Sequence, residues 1–174
     1  LMLTRNDEFL CVGNRPSSIQ KIKAGASKDG RIVAFQMESY GTGGIAGGAG
    51  VPQPYIYTVP NIQTSNADVR INAGPSAAMR APGHPQASYA MESLMDELAE
   101  KVGMDALEFR KLNDRNETRQ KEYDIGAKEI GWSVKRNKIA GSGTGPIKRG
   151  VGCGSSTWGG GGGPGSQVQT KIFS

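Results

Sequence analysis

Alternating apolar and polar positions predict β-strands in the first half of the chain. Residues 19–26 and 31–40 both show the two-residue period of a strand. Lys28-Asp29-Gly30-Arg31 lies between them, and Asp-Gly supplies the positive φ angles of a two-residue type I′ turn, so the two segments are predicted to form a hairpin. The apolar positions on one face of the second arm are Val33, Phe35 and Met37. A later strand is predicted from the same period at Ala67, Val69, Ile71 and Ala73.

A 3.6-residue period replaces this alternation in the second half. Pro85 fits the first helical position, where its missing N–H would have no intrahelical partner, and Gly103 is a natural C-terminal cap. The apolar stripe between them comprises Ala87, Ala90, Met91, Leu94, Leu98 and Val102. The acids on the flank and far side are predicted to form a solvated face; they are Glu92, Asp96, Glu97 and Glu100.

Two more helices follow. Asp105 and Glu108 have the spacing of a capping box, and Met104 can pack on Phe109 as a hydrophobic staple. A third helix is predicted over about residues 117–131. Strands followed by helices give an α+β fold.

Many of the 26 glycines fall in two clusters, residues 41–50 and 159–165. The first contains a Gly-x-Gly-x-x-Ala match after a strand, which invites a dinucleotide-binding interpretation. Pro52 and Pro54 exclude the helix that such a motif must open. Two interpretations remain: a flexible surface loop, or a loop bent tightly round a cofactor or substrate.

The second cluster is preceded by Trp158 and followed by an alternating strand over residues 166–172. It is not a phosphate-binding P-loop, because no Gly-Lys-Ser/Thr follows. Trp158 is either a packing lid or a wall of a substrate pocket.

Charge and cysteine content narrow the function classes. Residues 110–149 carry eleven Lys/Arg against five Asp/Glu, more than the whole net charge of +5. These charges alternate in sign without an aromatic run on which bases could stack, so nucleic-acid binding is not expected. The chain has two distant cysteines, no run of about 18 apolar residues and no targeting signal. These features favour a cytoplasmic protein without a membrane span, with a periplasmic location as the alternative. Apolar, strand-like ends predict an excerpt of a longer polypeptide.

Residues 74–86 connect a strand to the long helix and consist mostly of small side chains. A helix N-terminus offers free N–H donors and a partial positive charge, and Arg80 adds a forked cation, a combination suited to an anionic cofactor. A pairing of Arg80 with Glu92 is the alternative.

His84 is the only histidine in the chain. Metal sites built from several imidazoles, and Cys/His zinc clusters, are therefore excluded, and no metal ligand is predicted. No Gly-x-Ser-x-Gly follows a predicted strand to support a catalytic triad, so a structural role for His84 is favoured.

The chain resembles the large, molybdopterin-binding subunit of the xanthine dehydrogenase/aldehyde oxidase family. The segments that carry the resemblance, in the family's order and spacing, are Leu3–Glu8, Tyr57–Asn61, Ala78–Gly83, Met91–Ala99 and Gly103–Asn113. The resemblance implies a molybdopterin cofactor, often a cytosine dinucleotide in bacterial members. It implies hydroxylation of an aldehyde or aromatic heterocycle with oxygen from water. It also implies iron–sulfur clusters and FAD on partner subunits or domains.

By this resemblance Met79, Arg80 and Ala81 line the cofactor, while Pro82 stands where purine-oxidising members place an aromatic residue. That departure favours a non-purine substrate, and the glycine-rich sequence ahead of Tyr57 resembles the bacterial aldehyde-oxidising branch. Pro82 and Trp158 are the candidates for the substrate pocket. The family's general-base glutamate has no counterpart here, so no catalytic residue is assigned and the 174-residue chain alone is predicted to be inactive.

The expected organisation has three parts. Residues 1–132 form the C-terminal part of a first molybdopterin-binding unit, residues 133–149 a connector, and residues 150–174 the beginning of a second unit. A noncatalytic scaffold that keeps the fold but carries no cofactor is the alternative function.

Overall fold

The computed structural model describes residues 2–136, 144–158 and 169–171. Three strands form one sheet in the order β1-β2-β3, with β1 antiparallel and β3 parallel to β2. This sheet and the helices confirm the α+β prediction. The elements are α1 (Arg5–Cys11), β1 (Ser17–Ala26), β2 (Ile32–Thr42), β3 (Asn61–Val69), α2 (His84–Val102), α3 (Ala106–Asn113), α4 (Glu117–Ile130) and α5 (Trp132–Lys135).

The predicted hairpin is present as β1 and β2, but its turn differs from the prediction. Gly30 has φ 88° whereas Asp29 does not have a positive φ, so the turn is not type I′. The Gly30 N–H donates to Ser27 O, and the Ser27 N–H donates to Arg31 O, which makes the connection longer than two residues. Gly30 supplies the single left-handed residue that such longer hairpin loops require.

A shift of pairing at Gly25 and Ala26 changes the face on which Val33 lies. Ala26 pairs with Ile32 and Gly25 with Ala34, which leaves Val33 as an extra residue in β2. Ile32 is therefore buried and Val33 is exposed, contrary to the predicted alternation, while Phe35 and Met37 are buried as predicted.

β3 lies earlier in the chain than the predicted strand. It pairs in parallel with β2 from Asn61 to Val69, and Ile71 and Ala73 lie beyond its end. Every residue of β3 is exposed. The apolar alternation that predicted a strand here therefore does not mark a buried face.

Helix α2 covers one face of the hairpin. The helix begins at His84, so Pro85 is its second residue instead of the predicted first, and the left-handed C-cap Gly103 confirms the predicted C-terminal end. Three of the predicted stripe residues are buried, and Met95 and Ala99 widen the buried face. Each fully buried Met or Phe of this core contributes roughly 1.5–3 kcal/mol. The most enclosed apolar side chains of the core are Phe35, Met37, Ala87, Met91, Met95, Ala99 and Phe109.

A buried ion pair joins α2 to α3 and overturns the solvated-face prediction for Glu92. The Arg110 side chain is 0% exposed, and its Nε donates to Glu92 Oε2 at 2.7 Å. Tyr57 Oη donates to the other carboxylate oxygen at 2.7 Å. Burial opposes the charged guanidinium, yet Glu92 outweighs it and raises the pKa of Arg110. Asp96, half-exposed, accepts a further bond from Arg110 at 2.8 Å.

Caps and side-chain bridges fix the remaining helices. The Asp105 side chain accepts from the N–H groups of Leu107 and Glu108, as the predicted cap requires. A full capping box would also need a bond from the Asp105 N–H to the Glu108 side chain, and the described residues do not form it. Helix α4 confirms the third predicted helix and ends at a left-handed Gly131. The Asn113 side chain accepts from Ile32 N–H and donates to Gly30 O, which ties α3 to the hairpin.

Residues 151–157 run back across the helices without regular secondary structure. Arg136 donates to Val151 O at 2.8 Å, and Ser155 Oγ donates to Tyr123 Oη at 2.7 Å. Most of the predicted connector is irregular or lies outside the described residues. The second glycine cluster (159–165) and most of the predicted strand over 166–172 also lie outside the described residues. Within the described ranges, no helix combines the length and apolarity needed to cross a bilayer.

Candidate cofactor site

The first glycine cluster forms an anchored loop. Residues 43–60 contain no helix, which confirms that the Gly-x-Gly-x-x-Ala sequence is not a dinucleotide-binding turn. Asp68 accepts from the N–H groups of Gly48 and Ala49 at 3.0 and 2.9 Å, and these bonds lower the pKa of Asp68. Gly44 has φ 72°, and a Cβ there would lie 2.0 Å from Gly74 O. The loop is therefore packed on the segment that leads to α2.

Arg15 clamps the backbone of the segment that contains the predicted cofactor residues. Its guanidinium donates to the carbonyl oxygens of Met79 at 2.7 Å, Arg80 at 2.6 Å and Ala81 at 3.3 Å. Ala81 has φ 55°, in the left-handed region that side chains rarely adopt. The clamp supplies contacts that can hold this conformation, and it fixes the direction in which the segment presents its side chains.

The Arg80 guanidinium is left without a protein partner in the described part of the chain. Its side chain lines a cleft, and no hydrogen bond or ion pair to its guanidinium is present there. The alternative pairing with Glu92 is wrong, because Glu92 is already bonded to Tyr57 and Arg110. An unpaired, exposed guanidinium in a cleft is suited to an anionic ligand.

The N-terminus of α2 supplies fewer backbone donors than the sequence predicts. Pro85 has no N–H, and the His84 N–H donates to Ala81 O at 3.1 Å. The N-cap Gly83 has no side chain to contribute. The anion-binding character of this region therefore depends on Arg80.

The cleft brings together most of the site residues predicted from sequence. Its volume is about 920 Å³. Arg80, Ala81 and Pro82 are among its lining residues, and so is Trp158, which is far away in sequence. Met79 is not in the lining and is 56% exposed; it takes part through its carbonyl oxygen, which Arg15 binds. The remaining lining residues are Tyr55, Ala78, His84, Pro85, Ser88, Tyr89, Ser156 and Thr157.

The contacts that Trp158 makes with other aromatic rings in this cleft are not predicted from the sequence. The rings of Trp158 and His84 meet edge to face with centroids 4.8 Å apart, and Tyr55 meets His84 in the same way at 5.4 Å. Tyr55 Oη lies 3.1 Å from His84 Nδ1 and bonds both backbone groups of Thr157. The sequence could have indicated His84 as a site residue, because it is the sole histidine and follows Gly83 in the small-residue segment. It could not have indicated Tyr55, because the Thr157 partner of Tyr55 is 102 residues away.

Comparison with known proteins decides the family. The model of the molybdopterin cofactor-binding domain matches residues 1–114. That range includes the sheet, α2, α3 and the cleft residues Arg80, Ala81 and Pro82. The chain belongs to this family. The resemblance to xanthine dehydrogenase and aldehyde oxidase subunits is thereby confirmed.

Named relatives agree with this assignment. The aldehyde oxidoreductase molybdenum-binding subunit PaoC of Escherichia coli (strain K12) is 37% identical over 105 residues, which are 58% of this chain and 14% of that subunit. The nicotinate dehydrogenase large molybdopterin subunit of Eubacterium barkeri is 32% identical over 147 residues, 80% of this chain and 33% of that subunit. The chain thus spans a minor part of the length of these relatives.

A solved structure supports the same conclusion. The aldehyde oxidoreductase from Desulfovibrio gigas superposes with a TM-score of 0.52 at 31% identity, covering 60% of this chain and 12% of that one. The fold of this molybdopterin cofactor-binding domain is therefore shared with an enzyme named for aldehyde oxidation.

A second pocket of the chain lies away from the predicted residues. It occupies about 400 Å³ between α3, α4, α5 and residues 152–156. Tyr123, Trp132 and Cys153 are among its walls, and burial raises the pKa of the Cys153 thiol. No residue predicted to bind cofactor or substrate lines it.

Proposed function

We propose that this chain is part of the molybdopterin-binding subunit of a molybdenum hydroxylase. The parent enzyme oxidises an aldehyde or an aromatic heterocycle with oxygen taken from water. The observation that carries the proposal is the cleft whose lining includes Arg80, with its unpaired guanidinium, several small side chains and Trp158. Membership of the molybdopterin cofactor-binding domain family supports it.

The residues around Arg80 fit an anionic cofactor. Arg80 provides a fixed positive charge with forked donors, which suits a phosphate or pyrophosphate group. Ala81 gives a ligand close access to the backbone, and Met79 contributes through backbone that Arg15 holds in place. When bound, molybdopterin supplies the redox chemistry; the residues of this chain bind and orient it. In a bacterial enzyme the cytosine dinucleotide form would extend the anionic part.

Pro82 and Trp158 form the proposed substrate wall. Both line the cleft, and neither offers a hydrogen-bond acceptor side chain to a purine. Trp158 is 58% exposed, which leaves apolar surface for a substrate ring. An aldehyde or a heterocycle other than a purine fits these walls.

The general base is proposed to come from elsewhere in the parent subunit. The described lining of the cleft contains no Asp or Glu. Iron–sulfur and flavin partners would accept the electrons. We also propose that residues 1–132 complete a first molybdopterin-binding unit, that 133–149 connect, and that 150–174 begin a second.

Molybdenum content tests the proposal. The parent subunit, made in a host that synthesises the cofactor, is expected to contain close to one molybdenum per protein. Arg80→Ala is expected to lower this ratio severalfold, because the anionic part of the cofactor loses its cationic partner. Arg115→Ala is the matched control, since Arg115 is exposed and does not line the cleft. Absence of metal from every folded variant would favour the noncatalytic scaffold.

A further inference from the structure

His84 is held in the cleft wall by contacts on two sides. Its Nδ1 lies 3.1 Å from Tyr55 Oη, and its ring meets the Trp158 ring in a T-shaped contact with centroids 4.8 Å apart. The ring is only partly buried. His84 follows the Ala78–Gly83 segment that carries the family resemblance, and it takes no part in the anion binding proposed for Arg80.

The bonds of Tyr55 determine which nitrogen of His84 carries a proton. A tyrosine hydroxyl has one hydrogen and two acceptor lone pairs. The Thr157 N–H can only donate, so it takes one lone pair of Tyr55 Oη at 2.8 Å. The Thr157 carbonyl oxygen can only accept, and at 2.7 Å it takes the hydroxyl hydrogen. Only a lone pair is left to face His84.

Nδ1 of His84 must therefore be the donor in its contact with Tyr55. A neutral imidazole has one N–H, so Nε2 is then an unprotonated acceptor. In the described residues Nε2 has no hydrogen-bond partner, and it is not among the buried polar atoms that lack one. Nε2 is therefore not fully buried, and His84 is one of the residues that line the cleft.

We propose that His84 is a specificity-determining residue whose Nε2 accepts a hydrogen bond from an O–H or N–H group on the substrate. This inference rests on the proposed function and names the substrate class: a small aromatic aldehyde that carries a hydrogen-bond donor. The neighbouring surfaces of Pro82, Tyr89 and Trp158 accommodate an aromatic ring. The acceptor at His84 selects rings with a donor, because leaving a polar partner unmatched in a binding site weakens binding.

Paired substrates test the inference in the molybdenum-loaded parent enzyme. The probes are the three ring isomers of hydroxybenzaldehyde, each beside its methoxy counterpart, which cannot donate. For at least one isomer we expect a preference of about tenfold in kcat/KM for the hydroxy compound, expressed mainly in KM, as one hydrogen bond can give. In His84→Phe this ratio is expected to approach one, whatever happens to the absolute rates. His84→Gln, which retains a side-chain acceptor, is expected to recover part of the ratio.

Two results would overturn the inference: no hydroxy preference at any ring position, or a preference that His84→Phe leaves intact. A His84→Phe enzyme that loses molybdenum while its substrate ratio persists would place the donor on the cofactor and would also overturn it. An enzyme that contains no molybdenum and oxidises none of the aldehydes would instead contradict the proposed function.

The tautomer gives a readout that does not depend on the metal. Because the chain has a single histidine, a long-range ¹H–¹⁵N spectrum of the ¹⁵N-histidine-labelled chain contains one imidazole. We expect the Nδ1–H form under native conditions and the Nε2–H form that free histidine favours in urea. Tyr55→Phe, which removes the acceptor for Nδ1–H, is expected to shift the native ring toward Nε2–H. A native wild-type ring in the Nε2–H form would contradict the assignment.

Discussion

Two arginines define two contrasting regions of this domain. Arg110 lies between α2 and α3 with no exposed surface, and its donors are taken by Glu92, Asp96 and backbone oxygens. Arg80 lies in the cleft, and its guanidinium has no protein partner in the described residues. A charge that the fold has satisfied completely serves the packing of two helices, whereas a charge held in place but unpaired is available to a ligand. The two arginines therefore differ in role because one guanidinium has protein partners and the other has none among the described residues, although the residue type is the same.

Removing the buried charge is expected to have the largest effect. Arg110→Met leaves the buried Glu92 carboxylate without its cation, and breaking such a pair costs about 3–5 kcal/mol. Urea unfolding of the chain measures the loss. The exposed pair of Arg31 with Asp29 provides the control, because Arg31→Met is expected to change stability by less than about 1 kcal/mol.

The double variant Arg110→Met/Glu92→Leu sharpens this result. Replacing both partners with apolar side chains is expected to recover much of the lost stability, since no buried charge remains unpaired. A double variant as unstable as Arg110→Met alone would show that the loss comes from packing instead of charge.

A second buried carboxylate is expected to make stability depend on acid. Burial alone would raise the pKa of Asp114, but Arg119 and the Asn116 N–H outweigh it, and the net pKa is lowered. A lowered pKa contributes stability above the unfolded-state value of about 4, which is lost as pH falls through the folded-state value. Asp114→Asn is expected to cost about 1–3 kcal/mol at pH 7 and progressively less below pH 4.

Chemical denaturation at several pH values measures this dependence. Asp124→Asn is the matched control, because Asp124 pairs with Lys111 at 2.8 Å on the exposed surface. It is expected to have little effect at any pH. An equal loss for Asp114→Asn at pH 3 and pH 7 would exclude the Asp114 charge as the source.

Weakening the contacts of Arg15 with the backbone is expected to have the smallest effect on stability. It is nevertheless expected to loosen the segment that lines the cleft. Arg15→Lys keeps the positive charge, yet one ammonium cannot reproduce the forked contacts to Met79, Arg80 and Ala81. We expect faster amide exchange at Ala81, Gly83 and His84 and a severalfold fall in the molybdenum content of the parent subunit. Unchanged exchange and metal content would show that the segment keeps its shape without Arg15.

Local signals make the helices predictable from sequence, and long-range partners make the rest difficult. Pro85 and Gly103 mark the ends of α2 because capping chemistry depends on near neighbours. The sequence predicts a solvated Glu92 because nothing nearby in the chain indicates that Arg110 folds against it. Arg80 can be predicted as a cofactor-binding residue from the small residues around it and from the family resemblance. The Arg15 clamp cannot be predicted, since its carbonyl partners are more than 60 residues away.

The strands illustrate the same limit. The hairpin follows from alternation and an Asp-Gly turn, but the extra residue Val33 puts Ile32 instead of Val33 on the inward face at the start of β2. The parallel partner β3 is predicted too late in the chain, because exposed strands carry little apolar periodicity. Family resemblance identifies the cofactor class, a conclusion that composition and spacing do not reach.

The contact of Tyr55 with Thr157 also bears on the order in which the domain assembles. It closes a loop of about a hundred residues, and such closure carries an entropic cost that short-range helices and hairpins do not. Helices α2 to α4 and the hairpin can form from neighbouring sequence, whereas the Trp158 wall forms only when residues 151–158 return across them. The cleft is therefore expected to be among the last parts of the chain to form during folding.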